Sequence, residues 1–304
     1  MDPLSRCPSE ADLAGRARAC EGCPGRELCL SQSTLDPDQE QIDCRMKAIK
    51  HKILIVSGKG GVGKSSIAAS LSMALAQMSH KVGLVDLDIC GPSVPKLLSV
   101  EDQVVVNSTW GWQPLKSPFY DIKVMSTGAI LNEDSRAVIW RGPRKTALIK
   151  RFLKDVYWGR LDFLMFDTPP GTSDEHLTVV KVLKGVEPDG AVIVTTPQEV
   201  ALDTIRKEID FCRKMSLPII GIVENMSGFI CPCCQAKWDI YCRADVEKLA
   251  SKHGITYLGR VPLDPELSKC CEYGQNYLER HKEAAGARAI ISVTELIVDK
   301  LRSS

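Results

Sequence analysis

The sequence predicts an α/β fold in which a doubly wound, mostly parallel sheet is covered by helices on both faces. Three observations predict it. From Lys52 onward, short apolar runs alternate with amphipathic stretches; the runs lack the polar–apolar alternation of a half-exposed strand; and a glycine-rich turn joins the first run to the first amphipathic stretch. Strands that are apolar throughout are buried on both faces, as they are in parallel sheets between layers of helices.

The predicted elements follow this alternation along the chain. Apolar runs predict strands at 52–57, 81–86, 121–126, 161–167, 190–195, 218–223 and 255–258. Amphipathic stretches predict helices near 64–78, 143–156, 174–184, 200–215, 243–252 and 283–301. Residues 99–120 contain Trp110, Trp112 and several turn-forming residues, which indicates an irregular excursion. Ligands are expected at the carboxyl ends of the strands of such a sheet.

Composition divides the chain and limits its partners. The first residues are rich in Cys, Gly, Pro, Ser and charge, so we predict a cysteine-rich extension over 1–48 and an α/β domain over 49–304. Lys and Arg total 39 and Asp and Glu 38, so neither nucleic acid nor membrane is expected as a partner. The sequence lacks an apolar run of roughly 18 residues and a signal-peptide core. It is expected to be cytoplasmic, and a nuclear location stays open.

The turn after the first strand has the composition of a phosphate-binding loop. Its residues are Gly58, Lys59, Gly60, Gly61, Val62, Gly63, Lys64 and Ser65. Glycines let the loop fold so that its N–H groups converge on phosphate oxygens, and the N-terminus of the next helix adds its positive dipole end. Lys64 is predicted to reach the β- and γ-phosphates and Ser65 to ligate Mg²⁺. The loop therefore predicts a bound nucleoside triphosphate, with Mg-ATP as its expected form.

Two predicted strands end in carboxylates that suit this Mg²⁺. Asp86 and Asp88 follow the second strand, and Asp167 closes the fourth. A carboxylate at the end of an apolar strand beside a phosphate loop holds the ion directly or through water. Asp88 and Asp167 therefore join Lys59 and Lys64 as candidate catalytic residues.

The second lysine of the loop, Lys59, resembles the deviant Walker A motif of the family that includes nitrogenase iron protein, MinD, ParA and the Mrp/NUBP scaffold proteins. The resemblance implies a dimer in which Lys59 touches the partner's nucleotide and acts as an arginine finger does, an effect of roughly 10³–10⁵ in rate in other NTPases. It also implies that Asp88 orients the attacking water and that Gly171, paired with Asp167, offers its N–H to the γ-phosphate. Asn225 resembles the adenine-contacting asparagine.

Thirteen cysteines in a chain expected in a reducing compartment favour metal or redox chemistry over disulfides. Cys231 and Cys234 close a CPxC element, and their two thiolates make half of a four-coordinate Fe–S or Zn site. A symmetric dimer would supply the other half. By resemblance to the Mrp/NUBP proteins, the pair would share a labile [4Fe-4S] cluster across the dimer.

The N-terminal extension holds a second set: Cys7, Cys20, Cys23 and Cys29. Four cysteines in one short segment can complete a metal site within one chain. Their spacing does not separate zinc from Fe–S, because both accept four thiolates. The whole pattern is very similar to the NUBP-type scaffold ATPases of cytosolic Fe–S assembly, and this resemblance implies one [4Fe-4S] cluster per chain in the extension.

The resemblance implies an ATPase that assembles [4Fe-4S] clusters and transfers them to cytosolic and nuclear apoproteins, with slow Mg-ATP hydrolysis. It would act as a homodimer, as a heterotetramer with a related ATPase that lacks the N-terminal cysteines, or as both. The sequence departs from the family pattern in three ways, of which the additional thiols leave the bridging ligands open. The first cysteine interval is one residue short, a glycine pair after Cys234 is missing, and Cys233 and Cys242 are additional thiols.

Other interpretations stay open. A MinD/ParA-type spatial-organisation ATPase predicts a basic C-terminal helix, and residues 290–302 are amphipathic but not strongly basic. A reductase resembling nitrogenase iron protein is a second. A third is a zinc-stabilised regulatory NTPase, with a zinc knuckle of Cys231, Cys234, Cys242 and His253. The remaining cysteines are expected to be small buried hydrophobes: Cys44, Cys90, Cys212, Cys270 and Cys271.

Overall fold

The computed structural model describes residues 38–88, 91–130, 142–171, 174–183, 187–231, 233–241 and 245–303. The chain divides into two compact units, Met1–Gln41 and Ile42–Ser304, and the four predicted N-terminal ligands lie outside the described residues. Cys90 and Cys242 also lie outside them.

The described elements alternate between strands and helices. The strands are β1 Ile49–Val56, β2 Val82–Asp86, β3 Val106–Ser108, β4 Gly111–Gln113, β5 Leu115–Lys116, β6 Lys123–Ser126, β7 Leu161–Asp167, β8 Gly190–Thr195, β9 Ile219–Ile230, β10 Lys237–Trp238 and β11 Tyr257–Leu263. The helices are α1 Gln39–Met46, α2 Lys64–Gln77, α3 Val94–Leu97, α4 Gly142–Lys154, α5 Asp174–Leu183, α6 Glu199–Lys214, α7 Val246–Lys252, α8 Pro265–Glu272, α9 Tyr277–Arg280 and α10 Ala285–Ser303.

One sheet organises the α/β unit. Its strand order is β9-β8-β1-β7-β2-β6-β5, and both β10 and β11 pair with β9. The pairs between β6 and β11 are parallel, whereas β5 and β10 join antiparallel at the two ends. Every residue of β2 and of β8 is buried, as expected for strands covered on both faces. The predicted mostly parallel α/β sheet is confirmed.

Two apolar layers cover the faces of this sheet. β1 sends alternate side chains to each layer: Ile53 and Ile55 join the layer that includes α2 and α10, and Leu54 and Val56 join the opposite one. The second layer is built with residues of α4, α5 and α6. The sheet is therefore a rigid centre, and its loops are held in place at the strand ends.

The strand register brings the predicted acidic residues together. Asp86 of β2 lies opposite Asp167 of β7, and Asp167 in turn lies opposite Ile55 of β1. The phosphate loop begins directly after β1 and ends where α2 begins. The carboxyl ends of three neighbouring parallel strands thus meet at one edge, which is where such sheets hold ligands.

Three sequence expectations change. β9 runs on to Ile230 instead of ending at 223, because pairing with β11 and β10 carries it past two left-handed residues, Met226 and Gly228. The excursion over 99–120 contains an ordered hairpin, β3–β4. Cys44 is exposed on the polar side of α1, whereas Cys212 and Cys270 are buried as expected and Cys271 is half-buried.

Candidate functional site

The phosphate loop is shaped by glycines that admit close neighbours. A Cβ on Gly58 would lie 2.6 Å from the Cβ of Thr204, and one on Gly63 would lie 2.4 Å from the Nδ2 of Asn225. Gly63 also has a φ of +76°, the left-handed region that favours glycine. Larger residues at either position would displace the loop from the elements that hold it.

The loop encloses a cavity of about 210 Å³ at the N-terminus of α2. Its walls are the loop residues from Lys59 to Ser66, together with Ser57, Asp88 and Pro170. Backbone N–H groups at a helix N-terminus attract anions, and Lys59 and Lys64 add positive charge. The cavity therefore has the shape and charge of a phosphate site.

Lys64 and Asp167 form a buried ion pair beside this cavity. Lys64 is 6% exposed and Asp167 0%, and the lysine Nζ also lies 3.4 Å from the Ser65 hydroxyl. Burial raises the pKa of Asp167, and the charge and hydrogen bond of Lys64 oppose that rise. Among the described residues, Asp167 Oδ2 has no hydrogen-bond partner. A buried carboxylate oxygen without a partner, next to the Ser65 hydroxyl, fits the oxygen ligands that Mg²⁺ prefers.

Asp86 lies on β2, opposite Asp167 on the neighbouring strand. Its carboxylate accepts hydrogen bonds from Val94 N at 3.2 Å, Asp88 N at 3.1 Å and the Ser126 hydroxyl at 3.2 Å. Burial, followed by the charge of Asp167, raises the pKa of Asp86 to about 7. Asp86 thus orients the segment that carries Asp88, whereas the sequence suggests it only as a carboxylate near Mg²⁺.

Lys59 is held within its own chain. Its ammonium group donates to the Gln198 side chain, which precedes α6. Asp88 is half-buried at the cavity wall, where its Oδ1 accepts from Gly91 N at 3.3 Å. The predicted action of Lys59 on a partner's nucleotide would require Lys59 to leave Gln198. The sequence pattern does not single out Gln198, although this residue follows the end of β8.

The Gly171 N–H is also engaged. It donates to the Ser57 carbonyl at 2.7 Å, and the glycine has a φ of +79°. The predicted contact with a γ-phosphate would therefore replace this hydrogen bond. The structure brings Gly171 to the base of the loop, but with its N–H turned to Ser57.

Asn225 links the loop to a second cavity. Its side-chain Nδ2 donates to the Val62 carbonyl at 2.8 Å, and the residue is 5% exposed. It lines a cavity of about 460 Å³ that also includes Gly63, Pro262 and Leu267. This cavity adjoins the phosphate cavity through Gly63 and Ser66, and its walls mix apolar residues with polar and charged ones. Because a nucleoside joined to the bound phosphates would enter it, we name it the nucleoside cavity.

Cys231 and Cys234 lie in a hairpin that we name the cysteine hairpin, residues 229–238. Phe229 and Ile230 of β9 pair antiparallel with β10. In the turn, Cys231 N donates to Ala236 O and Gln235 N donates to Cys231 O, both at 2.9 Å. Cys231 is half-buried, and Cys233 and Cys234 are exposed.

The hairpin favours a thiolate at Cys231. The backbone N–H groups of Cys234 and Cys233 donate to its sulfur and lower its pKa. Thiolates are the form that binds iron or zinc. In the part of the chain that the structure describes, however, no group of three or more His, Cys, Asp or Glu side chains is placed to hold a metal ion. The described residues of one chain therefore do not complete a metal site, and the ligand roles of Cys231 and Cys234 stay a prediction.

The alternative zinc knuckle is not assembled by the described residues. His253 ends α7, where Arg213 donates to its carbonyl at 3.0 Å and lies 3.5 Å from its Nδ1. Cys242 lies outside the described residues, so the structure does not test its part in such a site.

No helix among the described residues is both long and apolar enough to cross a membrane.

Comparison with known proteins decides the family. A family model described as ParA, NUBPL iron-transfer P-loop NTPase, matches residues 48–298. The chain belongs to this family. The match covers the phosphate loop, Asp88, Asp167, Asn225 and the cysteine hairpin. The geometry above is therefore that of an iron-transfer P-loop NTPase.

Solved structures agree with this membership. The nucleotide-binding protein from Archaeoglobus fulgidus in complex with ADP, with Co found in it, is 36% identical to this NTPase, with a TM-score of 0.71 over 81% of this chain and 94% of that one. The septum site-determining protein MinD from Pyrococcus horikoshii, complexed with Mg-ADP, is 25% identical, with a TM-score of 0.60 over 83% and 97%. A ParA family ATPase from Chlorobium tepidum, 18% identical with a TM-score of 0.52, shares the fold.

Proposed function

We propose that this iron-transfer NTPase is an ATP-dependent scaffold that assembles [4Fe-4S] clusters and transfers them to apoproteins in the cytoplasm and nucleus. The observation that carries the proposal is the length of β9. One strand carries Asn225, which lines the nucleoside cavity, and ends at Ile230 in the cysteine hairpin, directly before Cys231. A fully extended stretch from Asn225 to Cys231 spans roughly 20 Å, which is the upper limit of the distance between these two residues.

The nucleotide half of the proposal assigns roles to the loop and its carboxylates. Mg²⁺, held by Ser65 and Asp167, would neutralise phosphate charge when ATP is bound. Lys64 would exchange Asp167 for the β- and γ-phosphates, and Asp88 would orient the attacking water. Lys59 of a second chain would stabilise the negative charge that develops as the γ-phosphoryl group leaves. Hydrolysis is expected to be slow, because in this chain Lys59 and the Gly171 N–H are both engaged elsewhere.

The cluster half treats the bridging [4Fe-4S] cluster as cargo. Two exposed hairpins, one from each chain of a dimer, would supply the four thiolates of Cys231 and Cys234. The shared site would be labile, since it forms only where two chains meet and its cysteines are partly exposed. Recipient apoproteins would take the cluster from this exposed edge.

The extension over 1–48 would hold a second cluster, ligated by Cys7, Cys20, Cys23 and Cys29 within each chain. We expect this cluster to be retained rather than transferred, because four ligands from one segment do not depend on a second chain. The same chain would form a homodimer or a heterotetramer with a related ATPase that lacks these cysteines.

Metal analysis tests this function directly. Iron, acid-labile sulfide and zinc per chain are measured after anaerobic purification of the wild type, a Cys231→Ala/Cys234→Ala variant and a Cys20→Ala/Cys23→Ala variant. The proposal expects about six irons and six sulfides per chain, falling to about four in the first variant and about two in the second. Stoichiometric zinc without sulfide, even after reconstitution, would make the protein a zinc-stabilised NTPase instead.

Adding ATP tests the coupling. Cluster transfer to an apo-ferredoxin-type acceptor is followed with ATP, with ADP and in a Lys64→Ala variant. Transfer should be faster with ATP in the wild type and insensitive to nucleotide in the variant. Equal rates under all three conditions would leave a cluster carrier whose ATPase has another purpose.

A further inference from the structure

The strand between the nucleoside cavity and the cysteine hairpin is not regular. Met226 and Gly228 have φ values of +56° and +76°, so β9 bends twice immediately after Asn225. A left-handed conformation is unfavourable for a residue with a Cβ, and Met226 keeps it only if its surroundings hold it there. A side chain at position 228 would be crowded as well as strained, since a Cβ there would lie 3.0 Å from the Trp238 carbonyl oxygen of the hairpin.

One side-chain hydrogen bond spans the first bend. The Ser227 hydroxyl donates to Oε1 of Glu224, three residues earlier, and so closes a small ring around Met226. Glu224 is 1% exposed. A hydrogen bond to a carboxylate is among the stronger interactions available to a serine.

The same carboxylate is anchored from outside the bend. The Tyr257 hydroxyl of β11 donates to Glu224 Oε2 at 3.1 Å, and Arg260 Nε lies 3.9 Å from Oε1. Arg260 also donates to the Tyr257 hydroxyl at 2.8 Å and to Glu247 at 3.1 Å. Glu224 is therefore a fixed point on the sheet, and Ser227 is the residue that ties the bend to it.

Asn225, which lies between Glu224 and Ser227 in the chain, lines the nucleoside cavity. Asn225 follows Glu224 and donates to the Val62 carbonyl of the phosphate loop at 2.8 Å. Any ligand that occupies the nucleoside cavity meets Asn225, and Asn225 cannot shift without moving its neighbours in the chain. If the bend were flexible, backbone rotation at Met226 would absorb this shift, and the shift would not reach the hairpin. The Ser227–Glu224 bond prevents that by joining both sides of the bend.

We propose that Ser227 and Glu224 are positioning residues that transmit the nucleotide state of the loop to the cysteine hairpin. This inference rests on the proposed function, for which it supplies the mechanical link. The bond makes residues 224–227 move as one piece, so that a change at Asn225 is passed on to Gly228 and to the cysteine hairpin that follows it. Neither residue lines the phosphate cavity or the nucleoside cavity.

Amide hydrogen exchange of the full-length chain tests the link without reference to a cluster. Exchange in residues 229–238 is measured with and without Mg-ATPγS, using the Cys231 and Gln235 amides of the hairpin turn as reporters. In the wild type, nucleotide should change the protection of this segment by about fivefold, the lower end of usual coupling between sites. In Ser227→Ala the change should vanish, with nucleotide affinity within about twofold of wild type.

A matched variant separates the link from general loosening of the sheet. Tyr257→Phe removes a hydrogen bond to the same carboxylate but leaves the bend closed by Ser227. It should keep the nucleotide response, whereas Glu224→Gln, which weakens the bond to Ser227, should reduce it. A hairpin that responds equally in Ser227→Ala and in the wild type would overturn the inference, and so would a wild-type hairpin that ignores nucleotide.

Cluster transfer distinguishes failure of this link from failure of the proposed function. If the wild type binds no iron and sulfide, the scaffold function fails, although the exchange experiment can still show the link. If the wild type transfers clusters in an ATP-dependent way and Ser227→Ala does the same, the link alone fails. The expected result is a Ser227→Ala chain that loads clusters and hydrolyses ATP but transfers them at one rate with or without ATP.

Discussion

The phosphate loop and the cysteine hairpin lie near the two ends of one stretch of β9, and they are built in opposite ways. At the loop, polar groups are paired within the chain: the buried Lys64 with Asp167, the half-buried Lys59 with Gln198, and the Asn225 amide with the Val62 carbonyl. At the hairpin, two of three cysteines are exposed, and Trp238 of β10 is 66% exposed. A phosphate site can be preorganised inside one chain, whereas the half-site that we propose at the hairpin has to stay accessible to a second chain.

The largest expected effect is at the buried end. Lys64→Ala removes the cation that faces the β- and γ-phosphates, and it leaves the Asp167 carboxyl buried without its partner. ATPase activity should fall by about 10³ or more, as expected when a phosphate-clamping cation is lost. The measurement is phosphate release with Mg-ATP in excess.

The control is Lys248→Ala, which removes an exposed lysine of α7. It should leave the rate unchanged. If Lys64→Ala still hydrolysed ATP at the wild-type rate, the cavity at the loop would not be the ATPase site.

The next effect concerns the second lysine of the loop. Lys59→Ala should slow hydrolysis by about 10² and change ATP affinity by less than threefold, because an arginine-finger type of cation acts on the transition state in a neighbouring chain. Rates measured at several protein concentrations would show whether the loss requires dimerisation.

Gln198→Ala is the matched test of the resting contact. It frees Lys59 from its partner in the same chain, so hydrolysis should be equal to or faster than wild type. A strong loss in Gln198→Ala would mean that the contact itself, rather than its release, supports catalysis.

A buried carboxyl on α6 should make stability depend on pH. Burial raises the pKa of Glu208 from 4.5 to about 7, and its Oε2 has no hydrogen-bond partner among the described residues. Since the folded-state pKa is the higher one, this group stabilises the fold fully below about pH 4.5, and that stability is lost as pH rises to about 7. The loss is on the order of 2–3 kcal/mol.

Glu208→Gln should therefore gain stability relative to the wild type between pH 5 and pH 8, measured by urea unfolding at both values. The exposed Glu295 of α10 offers the control, and Glu295→Gln should show no such gain. An unchanged difference between Glu208→Gln and wild type at the two pH values would contradict the assignment.

The smallest effect is expected at the open end. Cys233→Ser replaces an exposed thiol that the half-site does not need, so the free energy of unfolding should stay within about 0.5 kcal/mol of wild type. Iron and sulfide content should also be unchanged. A loss of about two irons per chain would instead make Cys233 a ligand of the bridging site.

Much of this could be predicted from the sequence, because the signals are local. The phosphate loop is one continuous motif, and Asp88 and Asp167 follow runs whose apolar character marks them as buried strands. β7 and β8 begin and end where the sequence predicts. The contacts of Asp86, Gln198 and Glu224 could not be predicted, since most of their partners lie on other elements that only the folded sheet brings near.

The extent of β9 shows why the prediction stopped short. Asn225, Met226, Ser227 and Gly228 have the composition of a turn, and two of them do adopt left-handed φ values. The strand nevertheless continues, because β11 pairs with it on one side and β10 returns alongside it. Neighbouring strands override local preference here, as they commonly do in sheets.

The sequence by itself determined the class of fold, the family of the phosphate loop and the presence of a CPxC pair, because each of these is a short pattern whose chemistry is carried by the residues themselves. The tertiary structure decided which groups are engaged: that Lys64 pairs with Asp167, that Gly171 donates to Ser57, and that one bent strand joins Asn225 to Cys231. Those facts depend on contacts between residues distant in the chain, and such contacts exist only once the sheet has set its register.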